Sequence, residues 1–288
     1  MRLGSIEAGG TKFIVAVADE NYRILARRRI PTTTPAETLA ACISFFQENP
    51  VNALGIGSFG PAEIKRDSPH FGTILNTPKP NWAQVDVVGP LKQALQVPAA
   101  FTTDVNASAY GEYMLGAGKK VNSLIYFTVG TGIGGGAIQD GHFIGGRSHT
   151  EMGHAFVKPY SGDDFKGVCP YHGNQCFEGM ASGPAIEART GQRGEDLERS
   201  ADVFKLISYY TAQLVLAAYL NFTPEKIVLG GSVISQTELP QIRKVVRELN
   251  NGYVDLPDLD QLLVLTSIPD NGAATMGNFA LARRLLEG

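Results

Sequence analysis

The sequence predicts an α/β protein built from two similar halves, and three observations carry that expectation. Short apolar runs alternate with segments of helical period, the pattern of strands covered by helices. Two segments share one design: an apolar run, a Gly/Thr turn and a second apolar run. They are Leu3–Ile6, Glu7–Lys12 and Phe13–Val17, then Ser123–Val129, Gly130–Gly136 and Ala137–Ile138. With 288 residues, 43% of them hydrophobic, the chain is long enough for one large or two ordinary domains.

The first hairpin is followed by Ala36–Gln47, whose apolar positions recur with the period of a helix. Ala53–Ser58 and Ala99–Thr103 are short and apolar, as buried strands are, and Asn106–Leu115 returns to helical period. After the middle hairpin, Ala201–Leu220 and Gln241–Leu249 read as helices, and Lys226–Leu229 and Leu262–Thr266 as strands. The Ala-rich Ala273–Leu286 reads as a closing helix. A domain boundary is expected near residues 108–120.

A net charge of -3 lacks the basic bias of a nucleic-acid surface. No apolar run approaches the ~20 residues a bilayer span needs, so no membrane segment is expected. Met1 leads directly into a strand rather than a leader. Three cysteines cannot make a paired disulfide framework, which points to the reducing cytoplasm.

His154, Cys169, His172 and Cys176 are four soft or borderline ligands at the spacing of a closed tetrahedral zinc site. Four protein ligands leave no position for a catalytic water, so such a zinc is structural. The bland alternative is a buried pair of reduced cysteines with unrelated histidines. Gly9, Gly10, Thr11, Lys12, Gly130, Thr131, Gly132 and Gly134 are candidate phosphate contacts, because a glycine turn lets backbone N–H groups meet phosphate oxygens. Taken singly, each is also an ordinary hairpin turn. Asp104 follows an apolar strand and precedes a helix, where it serves either as an N-cap or as a general base. Trp82, the only tryptophan, is as readily a core residue as a substrate neighbour. His70, His142, His149 and Cys42 carry no assigned role.

The order of these features resembles the ROK sugar kinases, and within them the zinc-containing bacterial fructokinases, across essentially the whole chain. Ile6–Lys12 looks like the family's first phosphate loop, Gly130–Gly135 like its second, and Leu229-Gly-Gly-Ser-Val233, with Gly230 and Gly231, like its adenosine-side loop. The resemblance implies the actin/hexokinase-like (ribonuclease H-like) fold: two α/β domains around an active-site cleft that closes on substrate. It implies a small domain of residues 1–112 plus a returning helix 273–288, and a larger domain 113–272. Implied too are ATP with Mg²⁺, a structural Zn²⁺, a hexose substrate and a homodimer. Asp104 then takes the role of base. Gly60, Pro61, Asn106, Glu151, His154 and Glu178 become the sugar contacts, and Glu7 stands on the Mg²⁺ side. The chain departs from the family pattern twice. Glu7 replaces the usual Asp, and His172 replaces a cysteine in the metal block. The implied reaction is phosphorylation of D-fructose at the 6-hydroxyl; glucokinase, mannokinase and N-acylhexosamine kinase are the same-family alternatives. Sugar-responsive repressors share the fold but carry a helix-turn-helix ahead of the first loop, and none is expected ahead of residue 7.

Overall fold

The computed structural model describes residues 1–288. In chain order the elements are β1 (Arg2–Ala8), β2 (Lys12–Asp19), β3 (Ile24–Pro31), α1 (Pro35–Glu48), β4 (Ala53–Ser58), β5 (Thr73–Ile74), β6 (Val85–Asp86), α2 (Val88–Leu95), β7 (Ala99–Thr103) and α3 (Asp104–Leu115). There follow β8 (Ser123–Val129), β9 (Ile133–Gln139), β10 (His142–Phe143), α4 (Phe177–Ala181), α5 (Gly183–Thr190), α6 (Asp202–Phe222), β11 (Lys226–Gly230), α7 (Leu239–Asn250), α8 (Leu259–Leu262), β12 (Leu263–Leu265) and α9 (Ala273–Glu287).

The half-to-half likeness in sequence is a likeness of topology. One five-stranded sheet runs β3-β2-β1-β4-β7, the other β10-β9-β8-β11-β12. In each, a hairpin is antiparallel (β1 with β2, β8 with β9), and two further strands add in parallel. Parallel neighbours need helical crossovers, which explains the alternating pattern.

The chain divides into two compact units. The first comprises Met1–Lys119, Phe143–His149 and Ile268–Gly288; the second comprises Lys120–His142 and Thr150–Ser267. The first segment ends inside the expected boundary region 108–120, a few residues beyond 112, and the unit also takes in 143–149 and 268–272, for physical reasons. Helix α3 runs on to Leu115 without a break, and the Gly116 and Gly118 N–H groups both donate to Glu112 O. Ile268 N–H donates to the buried Glu112 carboxylate at 3.2 Å. His149 Nε2 accepts the Ala62 N–H at 3.1 Å, tying residues 143–149 to the first unit.

In the first unit one sheet face packs Ile6, Phe13, Val15 and Ile56 against Phe45, Phe46 and Trp82. Helix α1 brings the phenylalanines there, and its start is a full capping box. Thr34 accepts from Glu37 N–H, Glu37 accepts from Thr34 N–H, and Pro35 holds the first turn. Trp82 is fully buried, 5.3 Å from Phe13, and its indole N–H donates to Thr33 O. It is a core residue. The other face packs Leu3, Ala16, Ala18 and Ala53 against Phe279 and Ala282 of α9. The second unit buries Leu124, Ile125, Phe127, Ile227 and Val228 of its sheet, with Leu214 and Val215 of α6. Contrary to the expectation from apolar runs, α6 is long and apolar enough to cross a membrane by length and composition. Of its apolar window, 61% is buried inside the protein. The interspersed Lys205, Tyr209 and Gln213 hid that length in the sequence.

Candidate functional site

Parallel strands deliver their following loops to one edge of a sheet, where α/β proteins place ligands. In the first unit Glu7, Gly57 and Thr102 are level across β1, β4 and β7. Glu7 therefore sits at the end of β1, Gly60-Pro61 follows β4, and Asp104 follows β7. The first glycine turn closes with Gly9 N–H donating to Lys12 O at 3.0 Å and is braced by Thr32, which hydrogen-bonds Gly9 O and Thr11 O. Gly10 lies in the turn, and Thr11 and Lys12 are exposed. The Gly60–Pro61 bond is cis.

Thr103, not Asp104, caps α3: its hydroxyl accepts the Asn106 N–H at 3.2 Å. Asp104 is the first helical residue, half-buried, with Oδ1 accepting the Val105 N–H at 2.9 Å. A carboxylate at a helix N-terminus is favoured as the anion, the form a base requires. Asn106 is almost fully buried. Its Nδ2 donates to Thr102 Oγ1, while its Oδ1 has no partner. Glu7 accepts from Thr275 Oγ1 at 3.2 Å. Burial pushes its pKa up, against the lowering pull of Thr275, Lys12 and Arg27. A desolvated carboxylate of this kind suits a cation, so Glu7 fits the Mg²⁺-side position.

In the second unit the metal-type residues converge. His154, Cys169, His172 and Cys176 place their ligand atoms within 4.8 Å of one another. His154 Nδ1 lies 3.8 Å from both Cys169 Sγ and Cys176 Sγ, and His172 Nδ1 lies 3.6 Å from Cys169 Sγ. A tetrahedral zinc with Zn–S of about 2.3 Å and Zn–N of about 2.0 Å needs ligand separations of about 3.3–3.8 Å. The donor set fits zinc. Local backbone sets the geometry. His154 ends a 3-10 turn, the Gly173 N–H returns to Cys169 O, and Cys176 starts α4 with its Sγ accepting the Gly179 N–H. Cys169 and Cys176 are 6% and 0% exposed, so replacing them opens a buried site rather than a surface.

His154 Nε2 faces Glu178 Oε1 at 3.8 Å. Glu178 Oε2 also accepts the Ile133 N–H at 3.0 Å. Glu151 is exposed just before the 3-10 turn, and its carbonyl accepts the His154 N–H.

A cavity of about 250 Å³ opens beside the second glycine turn, lined among others by Gly130, Thr131, Gly183, Arg193, Arg199 and Ser232. Gly132 turns toward Glu178, and Gly134 lies in the β8–β9 ladder opposite Thr128. Gly231, at φ +87, would put a Cβ 2.3 Å from Val129 O, so only glycine fits. Gly230 ends β11 against the Tyr126 ring. These two glycines bring Ser232 and Val233 to the cavity wall. Sequence reasoning did not single out Gly183, Arg193, Arg199 or His149, whereas Ser232 lies in the 229–233 segment it named. Of these, only Gly183-Pro184 carried a local signal, Pro at the start of a helix.

The ROK family profile matches residues 3–285. A fructokinase of Streptococcus mutans is 47% identical over 288 residues, covering 98% of this chain and 97% of that protein. A fructokinase of Lactococcus lactis is 47% identical over 285 residues, with coverage of 98% and 97%. Among solved structures, a ROK family glucokinase of Streptomyces griseus, in complex with glucose and AMPPNP, superposes with a TM-score of 0.79 at 26% identity, covering 99% of this chain and 100% of that one. With the profile running almost end to end and full-length relatives near half identity, the chain belongs to the ROK family.

Proposed function

We propose that the protein transfers the γ-phosphoryl group of ATP to the 6-hydroxyl of D-fructose, giving fructose 6-phosphate. The observation that carries this is 47% identity to a fructokinase over nearly the whole of both chains. Phosphoryl transfer asks mainly for positioning and charge neutralisation. The glycine turn at Gly130–Gly132 and the cavity behind it take the nucleotide, with Gly9–Lys12 contributing N–H groups and a cation on the phosphate side. Asp104 accepts the 6-hydroxyl proton as the oxygen attacks phosphorus, the bond to the β-phosphate oxygen breaks, and ADP leaves. Asn106, whose Oδ1 is buried and unpartnered, offers the sugar an acceptor, with Gly60-Pro61, Glu151, His154 and Glu178 as the other contacts. Mg²⁺, held on the Glu7 side, supplies neutralisation of the β- and γ-phosphate charge. Zn²⁺ on His154, Cys169, His172 and Cys176 supplies rigidity to the 150–178 loop.

The proposed setting is cytoplasmic, in keeping with three free, buried cysteines. The proposed assembly is a homodimer; Phe156 and Tyr171 stand 75% and 73% exposed on the metal loop, apolar surface that a second copy would cover. The deciding experiment is ADP release with MgATP over fructose, mannose, glucose and N-acetylglucosamine. Fructose is expected to be preferred. Preference for another hexose moves the substrate within the family, and silence with all four overturns the kinase reading.

A further inference from the structure

Glu178 touches two different parts of the second unit. One carboxylate oxygen faces His154, a metal-ligand candidate, at 3.8 Å. The other accepts the Ile133 N–H at 3.0 Å, on the first residue of β9, where the glycine turn ends. A Cβ on Gly132 would stand 2.7 Å from that same oxygen, so the carboxylate lies directly against the turn. Two residues before Glu178 comes Cys176, whose Sγ accepts the Gly179 N–H and fixes the first turn of α4. Beyond α4, the Gly183 N–H donates to Gly130 O at 2.7 Å. The turn is therefore clasped at both ends, at Gly130 and at Ile133, by the single segment 176–183. That segment begins on a metal-ligand candidate.

We infer that Glu178 is a positioning residue for the phosphate turn, carrying the order of the metal loop into the nucleotide cavity as well as meeting the sugar. The inference rests on the proposed nucleotide role of that cavity. Its physical basis is the Ile133 amide. A partly buried N–H that loses a charged acceptor is left unsatisfied, and the turn that presents Gly130 and Thr131 relaxes.

The test is calorimetric titration of the zinc-loaded full chain with MgAMPPNP in the absence of sugar. Glu178→Ala is expected to bind the nucleotide about tenfold more weakly, the scale of one charge-assisted hydrogen bond. Glu178→Gln keeps a carbonyl oxygen for the Ile133 N–H and is expected to stay within about threefold of the wild type. Wild-type affinity in Glu178→Ala overturns the inference. A wild-type protein that binds no nucleotide instead overturns the reading of the cavity, and the ADP-release assay reports that separately. Should the alanine variant fail to fold, amide exchange on the wild type decides. Chelating zinc is expected to speed exchange over residues 130–134 while leaving β1–β4 unchanged; unaltered exchange at 130–134 overturns the inference.

Discussion

Asp104 and Glu7 are both carboxylates at strand ends, yet their surroundings ask different things of them. Asp104 begins α3, and Asp104→Asn keeps the shape while removing the carboxylate proposed as base. Turnover is expected to fall by about 10²–10⁴, with fructose binding by calorimetry little changed. Near-normal kcat would remove Asp104 from that role. Glu7 is different because burial pushes its pKa up. The folded state then binds the proton more tightly than the unfolded chain. The stability this gives is full below the unfolded carboxylate pKa of about 4.3 and is lost as pH rises through the folded value. At neutral pH the charge at Glu7 therefore destabilises the fold. Glu7→Gln is expected to raise the urea midpoint at pH 7 while abolishing Mg²⁺-dependent turnover. A lowered midpoint would contradict the burial argument. Asp104 was legible in the sequence because it sits where an apolar strand meets a helical period. Arg199 was not. It reaches the cavity through a hydrogen bond from its guanidinium to Val233 O, a contact 34 residues away that no local pattern announces.

At the scale of elements, long periodic segments were readable and charged edges were not. Helices α1, α3, α6, α7 and α9 fall within a few residues of their expected spans: α1 and α7 bury one face, and α3, α6 and α9 are long small-residue or apolar segments buried nearly all round. Strand β3 was missed: Arg27, Arg28 and Arg29 break the alternation, and at the edge of its sheet only Ile30 is buried. The metal loop was visible as a ligand pattern, but its second anchor was not. Arg189 makes two 2.8 Å bonds to Asp163, and the Tyr210 hydroxyl donates to the same carboxylate. The paired side chains are only 8% and 4% exposed. Burial alone would raise the Asp163 pKa, but Arg189, Tyr210 and the Phe165 N–H outweigh it and hold it low. Burial, then Asp163, push the Tyr210 hydroxyl up to about 12, which keeps it a donor. Asp163→Asn is expected to cost about 3 kcal/mol, because Arg189 is left charged and unmatched. The depressed pKa gives the sign with pH. The difference between wild type and variant should hold steady from neutral pH downward, then shrink below about 4 as Asp163 itself protonates. Urea unfolding at several pH values measures this, and a pH-independent difference would refute the ion-pair account. Cys176→Ser tests the other anchor, with zinc content by elemental analysis expected to fall; full metal content would remove Cys176 from the ligand set.

For the whole molecule, the duplicated topology was legible as two apolar–glycine–apolar segments and the end of the first unit at Lys119 lies in the expected 108–120 region, whereas the segments 143–149 and 268–272, which also belong to that unit, were not legible. They depend on Glu112 and His149 receiving N–H groups distant in sequence. Each sheet carries its own buried core, one around Phe13 and Trp82, the other around Phe127 and Ile227. Chains with separate cores commonly depart from two-state unfolding. The cavity proposed for the nucleotide is lined by second-unit residues, whereas the first unit is proposed to meet only the phosphate end through Gly9–Lys12 and Glu7, so a nucleotide is expected to stabilise the second core more. A ligand at 100 times its Kd adds about 2.7 kcal/mol to the state that binds it. In a unit of this size that moves the transition by roughly 10 °C. Scanning calorimetry is expected to show two transitions, of which MgAMPPNP displaces that of the second unit by about that amount and the other by less. Displacement of a single transition carrying the whole enthalpy would mean that the two cores unfold together. The independence inferred from their separate packing would then be wrong.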